Sequence, residues 1–351
     1  MKKANLILFL FFTSVTFAQQ DSIVQAMILD SADISAEKEY NKGIDFFKKN
    51  EYSSALECFS AAIQFKPGFD KAIYNRGLTY FEMLKYVEAV KDMESVIEII
   101  PSGDAYYWKA KSQEALGEIE EAIESYGAAV SLDKRNEKAY YNRGVLKFTK
   151  GDYEGAVADF SLAIDLNKSY TYAYNDRASA KRKLGDLDGA IKDYQLAIMI
   201  DNSLAFIHNN LGSAKRKNGD LTGAIQDYSK AISLDPKYTI AYNNRGSAKY
   251  DAENYDEALR DFDKAVQLDP KYAYAYNNRA ATKFKLKDYA GSVEDCTEAI
   301  KINPNYGYAY SNRGNAKELL RDDSGACEDW KKAVEMGFED IHGIIEKHCR
   351  G

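Results

Sequence analysis

The amino-acid sequence predicts an all-α protein, an α-solenoid of tandem antiparallel helix pairs. Three observations predict it: a 34-residue internal period, small residues at fixed places within that period, and prolines confined to one place in it. The string YNNRGSAKYDAENYDEALRDFDKAVQLDP at 242–270 recurs as YNNRAATKFKLKDYAGSVEDCTEAIKINP at 276–304. It recurs again as HNNLGSAKRKNGDLTGAIQDYSKAISLDP at 208–236. Extended both ways, the register gives nine copies: 36–69, 70–102, 103–136, 137–170, 171–204, 205–238, 239–272, 273–306 and 307–340.

From the N-terminus, residues 1–18 read as a signal peptide. Lys2 and Lys3 precede an apolar core from Leu6 to Phe17, and Thr16-Phe17-Ala18 offers a cleavage site before Gln19. An uncleaved anchor is the alternative. Export to the periplasm or the cell exterior is the implied localisation, and a bacterial envelope suits it. Residues 19–35 form a lead-in segment whose Ile23, Val24, Met27 and Ile28 suit a short helix on the first repeat.

Within a repeat, two helical stretches are separated near position 15 by turns such as Lys150-Gly151-Asp152 and Leu184-Gly185-Asp186. Position 8 is always Gly or Ala, and positions 20 and 27 are alanine in all but one repeat each, so the helices can approach closely. Position 17 is usually tyrosine and position 24 usually aromatic, filling space between repeats. Pro67, Pro101, Pro236, Pro270 and Pro304 all fall at position 32, where the second helix must stop. A single pair cannot bury its apolar face alone, so stability comes from neighbour contacts along one array. Residues 341–351 read as a half-repeat covering the last apolar face. Cys327 takes a position that is apolar elsewhere and should lie near Cys349; a Cys327–Cys349 disulfide and two separate thiols are the alternatives.

These nine copies resemble the tetratricopeptide repeat family over residues 36–340. Repeats three, four, five and nine lack the proline, and position 7 is mostly arginine where the family favours leucine. The resemblance implies a superhelix with a concave groove and a role as a protein-interaction scaffold.

Composition and charge narrow the function. Only 5 prolines occur where average usage would give roughly 17, so the chain can be helical almost end to end. No apolar run outside the N-terminus is long enough to span a bilayer. Loss of the leader takes the formal charge from −7 to −9, which disfavours nucleic acid as a partner. No P-loop, H-E-x-x-H or G-x-S-x-G occurs, so no enzyme, cofactor or metal is expected. His208 reads as a packing residue.

Position 7 is Arg76, Arg143, Arg177, Arg245, Arg279 and Arg313, and every such repeat carries Asp at position 23. Pairing within each repeat is therefore expected, against a basic stripe for an anionic ligand. Lys at position 11, from Lys147 onward, is expected to snorkel its stem along apolar surface.

In the first helix, positions 2, 6, 9 and 13 share a stripe opposite positions 4, 8 and 11. If the latter are buried, the former lines the groove. Position 6 there is Asn41, Asn75, Asn142, Asn210, Asn244, Asn278 and Asn312. An amide both donates and accepts, so a ladder of amides can hold the peptide groups of an extended chain; some long tetratricopeptide superhelices do this. Tyr172, Tyr274 and Tyr308 at position 2, and Tyr40, Tyr74, Tyr107 and Tyr141 at position 5, add aromatic area beside it. The expected partner is an extended peptide or protein segment of unknown identity. The alternatives are a structural, self-associating envelope protein and a glycan-binding groove.

Overall fold

The computed structural model describes residues 25, 31–337, 345, 346, 348 and 349. The leader expected at 1–18 lies outside them, as do most of the lead-in and of the C-terminal segment. The chain divides into two compact units, residues 1–167 and 168–351, although the 34-residue register runs on through that boundary.

In the first unit, helix α1 includes residues 31–48, so the start set at residue 36 falls inside a helix. It is followed by α2 (Tyr52–Phe65), α3 (Asp70–Glu82), α4 (Tyr86–Ile99), α5 (Gly103–Leu116), α6 (Ile119–Leu132), α7 (Glu137–Thr149) and α8 (Tyr153–Leu166). The second unit holds α9 (Thr171–Lys183), α10 (Leu187–Ile200), α11 (Ala205–Lys217), α12 (Leu221–Leu234) and α13 (Thr239–Asp251). It continues with α14 (Tyr255–Leu268), α15 (Ala273–Lys285), α16 (Tyr289–Ile302), α17 (Gly307–Leu319) and α18 (Asp323–Glu335). No strand occurs among the described residues. Odd and even helices form consecutive pairs, and within the second unit successive odd-numbered helices also touch one another. The first helices of the repeats are thus the more closely gathered set, and their shared face is where a groove would lie.

The turn inside each pair has a backbone cause. Position 15 adopts positive φ throughout: Gly117, Gly151, Gly185 and Gly219 at 79–87°, and Asn50, Leu84, Glu253, Lys287 and Arg321 at 60–66°. Glycine adopts this conformation freely, whereas the other side chains are held there at some cost. In five repeats the next residue, an aspartate, caps the second helix. Asp152, Asp186, Asp220, Asp288 and Asp322 each accept a bond from the backbone N–H three residues on, at 2.8–3.0 Å.

From α4 to α16 the second helix ends at a residue pushed into the β region, and proline is not required for it. Asp133 and Asp201, in repeats without proline, fold back so that Oδ1 accepts from the N–H of Arg135 and Ser203 at 2.9 Å. Asp235, Asp269 and Asn303 make the same Asx turn just before proline in repeats six to eight, at 2.9–3.1 Å, so the turn closes the helix with or without proline.

The core is built on alanines, with a large side chain at position 24 in every repeat but the eighth, where Cys296 stands. Alanines 55, 89, 122, 156, 190, 224, 258 and 326 at position 20 are fully buried. Phe59, Met93, Tyr126, Phe160, Tyr194, Tyr228, Phe262 and Trp330 at position 24 are buried against them. Each contributes roughly 1.5–3 kcal/mol through burial. At the C-terminal end, Ile345 and Cys349 join the cluster of Ala326, Trp330 and Ala333. Cys327 and Cys349 are joined by a disulfide, with Cα atoms 5.7 Å apart. Cys296 is a buried free thiol and Cys58 a half-buried one.

Candidate ligand groove

The charged residues of the first helices are spent inside the repeats. Arg76, Arg143, Arg177, Arg245, Arg279 and Arg313 each clamp the position-23 aspartate of the same repeat with Nε and Nη2, at 2.6–2.9 Å. These aspartates are buried. From repeat four onward each guanidinium also stacks on the position-4 tyrosine, as Arg245 does on Tyr242 at 5.6 Å. Nη1 reaches back to the preceding repeat: Arg245 to Ser229, Arg279 to Asp263, Arg313 to Thr297.

The lysines join the pairing within each repeat instead of holding their heads in solvent. Lys147, Lys181, Lys215, Lys249, Lys283 and Lys317 turn their heads inward onto the position-23 aspartates at 2.7–2.9 Å. A buried carboxylate with two oxygens has room for a lysine beside the arginine fork, and its own desolvation makes the second cation favourable. Two cations on one carboxylate make a structural clamp, so the position-7 arginines do not form a basic stripe in the groove.

Repeat six breaks this pattern. Leu211 stands where the arginine would be and His208 where the tyrosine would be, leaving Asp227 to Lys215 alone. His208 is only 6% exposed and neither ring nitrogen has a hydrogen-bond partner. Burial lowers the His208 pKa and raises that of the Asp227 carboxyl.

The position-6 asparagines are half-buried, except Asn41, which is exposed. Their amides are partly committed within the chain. In the second unit, Nδ2 of Asn210, Asn244, Asn278 and Asn312 donates to Oδ1 of Asn175, Asn209, Asn243 and Asn277 on the preceding first helix, at 2.9–3.1 Å. In the first unit the acceptors are tyrosines: Asn75 donates to Tyr40 and Asn142 to Tyr107. Oδ1 of Asn210, Asn244, Asn278 and Asn312 accepts no hydrogen bond from a described residue. The ladder is therefore pre-oriented, with its acceptors available.

The aromatic residues divide. Tyr172, Tyr274 and Tyr308 are 49%, 54% and 59% exposed. Phe206 stacks on Tyr172 at 6.1 Å, and exposed Ile240 fills the same place in repeat seven. The position-5 tyrosines instead pack inward, Tyr40 on Phe59, Tyr107 on Tyr126 and Tyr141 on Phe160. Position 5 lies toward the flank of the stripe, so its rings reach the neighbouring second helix.

Three recesses lie along this face of the second unit. One of about 470 Å³ is lined by Arg182, Ser213, Arg216, Lys217, Tyr228, Asn244 and Asp251. Two of about 190 Å³ follow, one bounded by Tyr250, Phe262 and Asn278, the other by Tyr250, Phe284 and Asn312. Asn244, Asn278 and Asn312 thus each border a recess. The sequence stripe missed the side chains at position 12, Arg182, Arg216, Tyr250 and Phe284. The only signal for them was that positions 12 and 5 share a flank of the helix.

Among the described residues no cluster of His, Cys, Asp and Glu could hold a metal ion, and no helix is long and apolar enough to cross a membrane.

Tandem helix pairs with alanine-lined contacts and a recessed first-helix face define a helical-repeat interaction scaffold. The chain belongs to the tetratricopeptide repeat family. The TPR repeat profile matches residues 43–83, 103–151, 178–219 and 212–252, and tetratricopeptide repeat profiles match 137–170, 239–272 and 273–306. No curated protein matches the chain. Among solved structures, it resembles the C-terminal part of a TPR repeat-containing protein from Cytophaga hutchinsonii. That match has a TM-score of 0.58 and 20% identity, covering 68% of this chain and 98% of the other. A tetratricopeptide repeat protein from Parabacteroides merdae matches with a TM-score of 0.51 and 21% identity, over 71% and 98%. The APC/C hetero-tetramer Cut9-Hcn1 matches with a TM-score of 0.57 and 14% identity, over 90% and 76%.

Proposed function

We propose that the chain is a non-enzymatic scaffold that binds an extended peptide or protein segment along the first-helix face of its second unit. The observation that carries this reading is the row of amides. Asn244, Asn278 and Asn312 are each fixed by a bond to the preceding helix, present an unused Oδ1, and border a recess. Amides in a row can bind peptide groups at regular intervals along an extended chain, whatever its side chains. The half-exposed row of Tyr172, Phe206, Ile240, Tyr274 and Tyr308, aromatic in every repeat but one, supplies apolar contact area alongside. Export fits the Cys327–Cys349 disulfide, which persists in an oxidising compartment.

Selection of a displayed 12-residue peptide library on the full chain tests the reading. Recovered peptides should bind the Asn210→Ala/Asn244→Ala/Asn278→Ala and Tyr274→Ala/Tyr308→Ala variants at least about tenfold more weakly, equal to about 1.4 kcal/mol. The tyrosine variant guards against loss of fold in the asparagine variant. Undiminished binding to both folded variants would refute the groove.

A further inference from the structure

We propose that the recess between α9, α11 and α13 recognises an acidic side chain of the peptide, so that the groove selects Asp or Glu at one place. This rests on the peptide-binding reading above and names what that site prefers. The chain is acidic overall, and the arginines and lysines at positions 7 and 11 are bound to buried aspartates. The recess is the exception. Arg182 has only a neutral neighbour, the Tyr194 hydroxyl; it forms no ion pair with a described residue, and its buried Nε has no hydrogen-bond partner. Lys217 forms no ion pair either. Arg216 is held by Asp251 through Nε at 2.6 Å, which fixes its guanidinium at the recess wall. Asp251 is the one acid lining the recess, and it is already matched by Arg216. Two cations are left over, and a carboxylate is the group that would satisfy them with charge-assisted hydrogen bonds.

Beyond the Arg216–Asp251 pair the character changes. The adjoining recess shares Arg216 and Asp251, which neutralise each other, and adds Ser247 and Asn278; its remaining walls, Tyr250, Phe262 and Ala281, suit an apolar side chain. Neighbouring first helices lie about 10 Å apart, and an extended chain advances about 3.3 Å per residue. The apolar residue therefore sits about three positions from the acidic one. A cation in the last turn also favours a helix C-terminus. That role would alter stability and leave peptide choice untouched.

The library is selected in parallel on the full-length wild type, Arg182→Ala/Lys217→Ala and Arg182→Glu/Lys217→Glu, with thermal midpoints followed for each. Wild type should recover peptides sharing an Asp or Glu with an apolar residue about three places away. On wild type, replacing that Glu by Gln in the synthetic peptide should weaken binding about tenfold, a readout that needs no variant to fold. The reversed-charge variant should recover Lys or Arg at the same place. Peptides without acidic enrichment, or equal binding of Glu and Gln forms, would overturn this proposal and leave groove binding standing. Recovery of no peptide at all would overturn both.

Discussion

Removing one guanidinium from a clamp gives a sharp energetic test, and Arg245→Met does so while keeping the stem. Arg245 bonds Asp261 at 2.9 and 2.6 Å, bonds Ser229 at 3.0 Å and stacks on Tyr242 at 5.6 Å. Asp261 is 4% exposed, so the substitution leaves a buried carboxylate with Lys249 alone at 2.9 Å. Breaking a buried pair costs about 3–5 kcal/mol when the remaining charge is stranded. Lys249 stays in place and Arg245 is itself partly exposed, which brings the expectation down to about 2–3 kcal/mol. Urea unfolding followed by far-UV circular dichroism measures it, with Asp261→Asn and the double variant closing a cycle. A coupling of about 1.5 kcal/mol or more is expected. A single-variant loss below about 0.5 kcal/mol, or strict additivity, would refute the clamp as a stabilising unit.

Other consequences are equally open to measurement. Because burial lowers the His208 pKa, stability from this group is present above the imidazole's unfolded value of about 6.5 and is lost as pH falls through the folded one. His208→Tyr should therefore flatten the fall in thermal midpoint from pH 7 to 5, and an unchanged slope would contradict it. Gly314→Ala places a Cβ 2.6 Å from the Trp330 ring, whose Nε1 donates to Asn315 at 3.0 Å; a loss of about 1–3 kcal/mol and a changed tryptophan fluorescence spectrum should result. Leu84→Gly relieves positive φ at an exposed turn and should raise stability by about 0.5–1 kcal/mol in the same urea assay. Burial pushes the Cys296 thiol up to about 12, so native protein should resist alkylation there at pH 8 and react once unfolded.

Much of the fold was legible because each repeat restates it. Small residues at positions 8, 20 and 27 mark close helix contacts, and the joint occurrence of Arg at 7 and Asp at 23 marks the clamp. What was hidden lay where one structure is reached by different residues. Position 15 keeps its left-handed turn with Leu84 or Glu253 in place of glycine, so no residue type advertises it. Asp133 and Asp201 close their helices with the same Asx turn that Asp235 and Asp269 make before proline. The second asparagine row, Asn175, Asn209, Asn243 and Asn277, stands beside the first in sequence, yet only the packing shows it buried and accepting. The lysine heads went inward because the aspartate carboxylate still had an oxygen to share, which spacing alone does not reveal.

The central claim, that the amide row holds a peptide by its backbone, is tested most directly with a library-selected peptide bearing N-methyl groups at two adjacent-repeat positions. Methylation removes the N–H groups that would donate to Oδ1 of Asn244 and Asn278 and leaves every side chain in place. Each lost bond is worth about 0.5–1.5 kcal/mol, so titration calorimetry should show binding weakened by about tenfold or more. Equal affinity of the methylated and unmethylated peptides would contradict the account.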